Sequence, residues 1–186
     1  MVRAHAAKHN TRMTPIDTPA ATSHAPAARQ LPPRVARQVL FALAVGGFAI
    51  GTSEFAIMGL MPEIARGLAI SEPQVGHVIS AYALGVVVGA PLLAILGARL
   101  PRRTLLLALM GFYAAGNLAS ALAPDYHAML LFRFIAGLPH GAYFGVAALV
   151  AASISPPGQS GRAVGLVMLG LSIALGDARL HGGMLE

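Results

Sequence analysis

Four apolar segments, each about as long as the hydrocarbon core of a bilayer is thick, dominate this sequence. They cover residues 39–61, 75–97, 105–122 and 128–152, and a helix needs about 20 apolar residues to cross a membrane. Within hydrocarbon the backbone polar groups must be satisfied inside the segment itself, which favours helices. The sequence therefore predicts an all-α integral membrane protein with about four complete transmembrane helices.

A fifth apolar segment covers residues 163–176 and is then interrupted. Asp177 and Arg179 follow it, and each of these residue types costs about 2.5–3.5 kcal/mol near the centre of a membrane helix. We therefore expect a truncated fifth span followed by an atypical tail over residues 177–186. A truncated or frameshifted coding sequence would produce such an ending.

The composition argues against a soluble protein. Hydrophobic residues make up 56% of the chain and charged residues 11%, whereas soluble domains carry about 25% charged residues. The net charge of +6 lies in the segments between apolar runs, where membrane orientation signals occur. We therefore expect the lipid bilayer as a partner and no nucleic acid. The chain has no cysteine, which excludes disulfides and thiolate chemistry.

Residues 1–37 form a basic segment ahead of the first span. They hold six Lys and Arg residues against a single acid, Asp17, with no apolar periodicity. This composition predicts a disordered tail. It fits an organelle transit peptide as well as a cytoplasmic tail of a bacterial membrane protein. Translation could start at Met1 or at Met13.

The distribution of basic residues predicts the orientation in the membrane. Six Lys and Arg precede the first span, and the successive loops then hold one (Arg66), three, none and one (Arg162). Basic residues concentrate on the cytoplasmic side. The N-terminus, the 98–104 turn and the 153–162 turn are therefore predicted to be cytoplasmic, in a multi-pass protein of the bacterial inner membrane.

Two ionisable residues, Glu54 and Arg133, lie within predicted spans. With this orientation and a rise of 1.5 Å per residue, both lie about 10 Å below the outer surface. Intramembrane ionisable groups are scarce and usually functional. Burial favours the protonated carboxyl and a nearby guanidinium favours the carboxylate, so Glu54 is a candidate proton site tuned by Arg133. The alternative is a static ion pair that locks two helices.

Further polar residues in the spans are candidates for a transport cavity. His140 lies two helical turns after Arg133 and therefore on the same face, with Pro139 between them. Tyr82 and Asn117 could line the same pathway. All three could instead satisfy hydrogen bonds between helices.

Glycines recur at four-residue spacing in two of the predicted spans. Such strips of small residues allow membrane helices to approach closely. We therefore predict helix-packing roles for five of them: Gly85, Gly89, Gly137, Gly141 and Gly145.

The sequence carries none of the patterns examined for catalysis or metal binding. H-E-x-x-H, a Gly-rich phosphate loop with lysine and a G-x-S-x-G elbow are all missing. We therefore expect no enzyme, no metal site and no cofactor.

Four short stretches carry a resemblance to a known family. In chain order they are Gly51–Ile64, Gly97–Arg103, Leu130–Gly145 and Ser160–Ala163. In this order, and at these helices, they resemble the major facilitator superfamily, specifically its drug:proton antiporter branch with arabinose- and sugar-efflux-like members. The similarity covers about Arg37 to Ala174.

Two of the matches fall on the candidate proton site. Glu54 corresponds to the acid of the family's opening helix. Arg133 and Gly137 correspond to the fourth-helix R-x-x-Q-G motif, with Ala136 where glutamine is common.

A third match implies a cytoplasmic gating turn between the second and third spans. The family pattern there is D-R-x-G-R-R, and its arginines correspond to Arg99, Arg102 and Arg103. Ala98 stands in place of the aspartate and Pro101 in place of the glycine. Because Ala98 replaces the aspartate, the chain lacks the acid that makes the usual gating contact in the family.

The resemblance implies a partial N-terminal helical bundle of this family over residues 38–176. Members have about twelve helices in two halves built from repeats, so a missing C-terminal half is the implied partner. The implied function is proton-coupled efflux, an antiport of protons against drugs, sugars or other small molecules, with this chain inactive alone. The alternative is a non-transporting membrane fragment or an assembly partner for another half.

Overall fold

The computed structural model describes residues 31–182, with side chains up to residue 174. All secondary structure in this range is helical. Four helices are long and apolar enough to cross a membrane: α1, α3, α4 and α5. The predicted all-α membrane fold is confirmed. The six helices are α1 (Pro33–Gly59), α2 (Met61–Gly67), α3 (Glu72–Leu96), α4 (Arg102–Ala121), α5 (Tyr126–Ser153) and α6 (Ser160–Gly182).

The helices begin a few residues before the apolar segments because polar residues shape their first turns. Pro33 stands at the first position of α1, where its fixed φ suits a helix and its missing N–H is not needed. The Gln74 side chain accepts a hydrogen bond from the Ser71 N–H at the start of α3, at 2.9 Å. The Asp125 carboxylate accepts one from the Ala128 N–H at the start of α5, also at 2.9 Å.

The segment predicted as a tail differs from the structure at its end. Residues 1–30 lie outside the described residues, but the helix α1 already begins at Pro33. The loop predicted after the first span contains a further short helix, α2. These differences arise because helical backbone does not require apolar side chains, and the apolar pattern detects only the membrane-embedded part.

The helix α6 continues six residues beyond the predicted end of the fifth apolar segment, to Gly182. Its apolar part covers Ser160–Ala174. Asp177 and Arg179 disfavour burial in hydrocarbon, but neither residue type breaks a helix as proline does. The chain therefore stays helical where the hydropathy pattern ends. Residues 183–186, the end of the predicted atypical tail, lie outside the described residues.

Glycines place α3 and α5 in direct backbone contact. A Cβ on Gly85 would collide with the Phe134 carbonyl, and one on Gly89 would collide with Leu138. Because the contact positions increase together along both helices, α3 and α5 run parallel. Their close approach brings the polar side chains of the two helices together in the bundle interior.

The other predicted packing glycines divide into two groups. A Cβ on Gly137 would collide with the Tyr82 carbonyl, and one on Gly141 would press against Ala90 of α3. Gly145 is exposed and has no neighbouring atom within 4 Å of a Cβ position. The predicted packing role of Gly145 therefore has no partner among the described residues and stays a prediction.

The helix α5 lies at the centre of the bundle and is the most buried of the four long apolar helices. It contacts α3 on one side and α4 on another, where a Cβ on Gly116 would press against Ala136. The helices α1 and α6 pack side by side, and Gly170 lies against the Ala44 carbonyl. The Tyr143 hydroxyl donates to the Leu43 carbonyl at 2.9 Å and joins α5 to α1.

Charged residues separate between the two ends of the bundle. We call the end at which α1 begins the basic end; it also contains the α3–α4 and α5–α6 turns. Its charged residues in the described chain are all arginines: Arg34, Arg37, Arg99, Arg102, Arg103 and Arg162. The opposite end holds one arginine and three acids: Arg66, Glu63, Glu72 and Asp125.

This separation predicts that the basic end is cytoplasmic. Because the chain lacks cysteine, the variants Ala98→Cys and Gly67→Cys each carry a single thiol, one at either end. We expect a membrane-impermeant maleimide to label Gly67→Cys in right-side-out vesicles and Ala98→Cys in inverted vesicles. The reverse pattern would refute the orientation.

The packing geometry predicts opposite effects for one substitution at two glycines. Gly85→Ala should lower the free energy of unfolding by about 1–3 kcal/mol, because the new methyl group overpacks the α3–α5 contact. Gly145→Ala is the matched control and should raise it by about 0.5–1 kcal/mol, since alanine in a helix loses less entropy than glycine. Denaturation in mixed detergent, followed by circular dichroism, measures both. Equal effects would contradict the packing described.

Candidate functional site

A buried arginine on the central helix α5 lies at the middle of a polar cluster. Arg133 is 1% exposed. Its Nη1 donates to Oδ1 of Asn117 at 3.3 Å, and its Cζ lies 4.2 Å from the centre of the Tyr82 ring. Its Nε has no hydrogen-bond partner among the described atoms. A cation with so few partners is expensive to bury.

Tyr82 contacts two ionisable residues of α5, Arg133 and His140. Its ring face lies under the Arg133 guanidinium, and its hydroxyl is 2.7 Å from Nδ1 of His140. Tyr82 is 2% exposed and His140 is 9% exposed. The α3–α5 glycine contact fixes this geometry, because it holds the Tyr82 backbone against Gly137, midway between Arg133 and His140.

Glu54 on α1 approaches the same histidine from the other side. Its Oε2 lies 3.8 Å from Nδ1 of His140, and the Glu54 side chain is 34% exposed. This distance is too long for a hydrogen bond, and the two groups attract each other only when the imidazole is protonated. The Nδ1 atom of His140 therefore faces a hydroxyl and a carboxylate at once.

Glu54 and Arg133 do not form a direct ion pair in the described part of the chain. Their similar depth left a static ion pair open as the alternative to a proton site tuned by Arg133. The guanidinium is instead held toward α4 by Asn117 and against Tyr82. The carboxylate has His140 as its nearest basic neighbour instead.

A second tyrosine orients the amide that holds the arginine. The Asn117 Nδ2 donates to the Tyr113 carbonyl at 2.9 Å, which leaves Oδ1 of Asn117 directed at Arg133. The Tyr113 hydroxyl donates to the Ile50 carbonyl of α1 at 3.1 Å. Side chains of α3, α4 and α5 thus support Arg133 while Glu54 enters from α1.

The structure brings five of the predicted residues into one group, which we call the polar cluster: Glu54, Tyr82, Asn117, Arg133 and His140. The α1–α5 contact made by Tyr143 was not predicted as part of a site. Its spacing of three residues from His140 could have indicated the shared helix face.

The three arginines of the predicted gating turn lie apart from the polar cluster. Arg99, Arg102 and Arg103 are exposed at the basic end. No ion pair or side-chain hydrogen bond involves them in the described ranges. A contact with an acid is therefore not part of this turn's described geometry.

The cluster can hold a proton at more than one atom. Nδ1 of His140 accepts from the Tyr82 hydroxyl when it is bare, and it donates when it is protonated. A proton at Nδ1 can thus face either the hydroxyl or the carboxylate. The Glu54 side chain is one-third exposed and so lies at the edge of the buried core.

Comparison with known proteins identifies the family to which the chain is similar. The Major Facilitator Superfamily profile matches residues 43–185, including most of the tail that appeared atypical from its charges. The inner membrane transport protein YdhP of Escherichia coli (strain K12) is 49% identical over 135 residues, covering 73% of this chain and 35% of YdhP.

Two further relatives have names that describe what they do. The chloramphenicol resistance protein of Streptomyces lividans is 36% identical over 135 residues, covering 73% of this chain and 34% of that protein. The "Probable sugar efflux transporter" of Helicobacter acinonychis (strain Sheeba) is 30% identical over 142 residues, covering 76% of this chain and 36% of that protein.

The chain spans about a third of the length of these curated relatives. Its all-helical membrane bundle and its profile match agree with the resemblance found in its motifs. The chain belongs to the Major Facilitator Superfamily of membrane transporters.

Proposed function

We propose that this chain supplies the proton-binding site of an efflux antiporter. The observation that carries the proposal is the position of Glu54: a partly exposed carboxylate 3.8 Å from a buried histidine nitrogen. A carboxylate at the edge of a fixed polar interior can exchange a proton. Its charge then acts electrostatically on the side chains of the neighbouring helices. Because the chain belongs to a family of membrane transporters, proton coupling is a natural use of such a group.

The charge of Glu54 controls how strongly α1 is attracted to α5. When Glu54 is deprotonated, it attracts the Arg133 guanidinium and a donating Nδ1 of His140. Protonation removes this attraction, which is therefore lost as the pH falls through the range in which Glu54 binds its proton. Asn117 and Tyr82 hold Arg133 in place, so α1 is the element that responds.

Relative motion of α1 against α5 can couple proton binding to transport. The contact between them is lighter than the α3–α5 contact, where backbones touch at glycines. We assign the proton to one conformational state and the exported molecule to the other, as antiport requires. A ligand shifts such an equilibrium only by its difference in affinity for the two states.

The names of two relatives suggest the kind of molecule exported. One relative is named for chloramphenicol resistance and another for sugar efflux. We therefore propose drugs, sugars or other small molecules as substrates of the complete transporter.

We further propose that the chain does not transport alone and acts with a C-terminal half. It spans about a third of its relatives, and Glu54 lies at an open side of the described bundle. Large apolar side chains are strongly exposed on several helices, including Phe41 of α1, Ile95 of α3 and Leu107 of α4. These faces suit lipid or further helices. A non-transporting assembly partner is the alternative that the same faces favour.

The proton role predicts a selective loss of coupling in Glu54→Gln. A chimera in which residues 37–171 replace the corresponding part of YdhP provides the missing two thirds of the transporter. In inverted vesicles, we expect addition of a transported drug or sugar to release protons from chimera-containing vesicles, and Glu54→Gln to reduce this release to the level of empty vesicles. A pH-sensitive dye measures the release.

Glu63→Gln is the matched control, because Glu63 is an exposed acid paired with Arg66 at 2.7 Å on α2. This variant should retain proton release. Retained coupling in Glu54→Gln would remove the proposed role. Substrate export by the 186-residue chain alone would refute only the proposal that it needs a partner.

A further inference from the structure

We propose that a groove at the basic end binds an anionic phospholipid. The groove lies between the start of α1 and the α5–α6 turn, and has a volume of about 980 Å³. Pockets that bind small molecules measure about 300–1,000 Å³, so the volume is sufficient for a lipid headgroup with its glycerol. We call it the basal groove.

The charge of the basal groove selects an anion. Arg34 and Arg37 from α1 and Arg162 from α6 contribute to its lining, and no acid does. All three arginines are exposed. Basic pockets between transmembrane helices on the cytoplasmic side are suited to acidic lipid headgroups. Charge complementarity therefore favours a phosphate-bearing ligand.

The shape of the groove indicates a lipid rather than a soluble phosphate. A second cavity of about 230 Å³ adjoins the basal groove and shares Arg37, Leu40 and Leu166 with it. Its remaining lining, Phe41 and Ala44, is apolar. This cavity follows α1 from Arg37 to Ala44, about 10 Å along the helix at 1.5 Å per residue.

The two cavities thus follow the order of groups in a phospholipid. The arginines lie where the headgroup would be, and the apolar cavity extends from them along an exposed face of α1, where Phe41 is 72% exposed. A free phosphate would occupy the arginine end and leave the apolar channel unused. An acyl chain fills that channel.

The site is independent of the polar cluster. Arg37 precedes Glu54 by seventeen residues of continuous helix, which is about 25 Å at 1.5 Å per residue. Lipid binding at the basal groove would join the start of α1 to the start of α6. The inference therefore does not rest on the proposed proton site.

The experiment uses a tryptophan reporter, since the chain contains none. Phe41→Trp places the reporter in the apolar channel. The full chain is reconstituted in phosphatidylcholine bilayers, and brominated phosphatidylglycerol or brominated phosphatidylcholine is added in small amounts. Bromine quenches tryptophan only on contact, so the quenching curve gives the affinity of this site for each lipid.

We expect brominated phosphatidylglycerol to quench at much lower mole fraction than brominated phosphatidylcholine. Changing Arg34, Arg37 and Arg162 together to Gln should weaken phosphatidylglycerol binding on the order of a hundredfold, from three basic contacts near the surface. Changing the same three residues to Lys retains the charge and should retain the preference. Circular dichroism checks that each variant is folded.

The matched control removes the same charge elsewhere on the same end. Changing Arg99, Arg102 and Arg103 to Gln should leave the lipid preference intact, because these arginines do not line the basal groove. Equal loss in both triple variants would overturn the site in favour of general surface attraction.

Three further results would also overturn the proposal. Equal quenching by the two lipids would show that the arginines do not select the headgroup. Reversal of the quenching by millimolar inorganic phosphate would identify a soluble anion as the ligand. Absence of quenching by either lipid would show that protein covers the groove.

Discussion

The burial of one guanidinium constrains the rest of this bundle. A cation within a low-dielectric interior must find partners, because the penalty for removing it from water is several kcal/mol. Arg133 obtains an amide oxygen from α4 and an aromatic face from α3. Three helices must therefore keep fixed positions around it. Glu54 on α1 is the member of the cluster whose side chain remains partly exposed in the described bundle.

The glycines make this arrangement possible. Tyr82 reaches both Arg133 and His140 only because α3 and α5 touch at Gly85 and Gly137. Close backbone contact leaves no room for side chains between the helices, so the polar residues above and below the contact are brought together. The α3–α5 interface thus provides both the close helix packing and the arrangement of Tyr82, Arg133 and His140. The helix α1 takes no part in this interface.

The membrane fold and the identity of the polar residues could be predicted from the sequence, whereas their partners could not. Segment length and hydropathy identify the spans, and an acid or a base inside them is conspicuous. Helix depth placed Glu54 near Arg133. Depth does not give rotation about the helix axis, and this rotation directs Arg133 to Asn117 and leaves His140 next to Glu54. Gly145 shows the same limit, since four-residue spacing does not reveal whether a neighbouring helix lies against each glycine.

The central claim is that Glu54 binds the coupling proton and that its charge acts on His140, 3.8 Å away. The most direct measurement follows the Glu54 side-chain carboxyl carbon and the His140 ring nitrogens by solid-state NMR during a pH titration of the chain in bilayers. The account predicts that both sets of resonances change at a common pH, and that Glu54→Gln shifts the transition of His140. A His140 ring whose resonances do not respond to the state of Glu54 would contradict it.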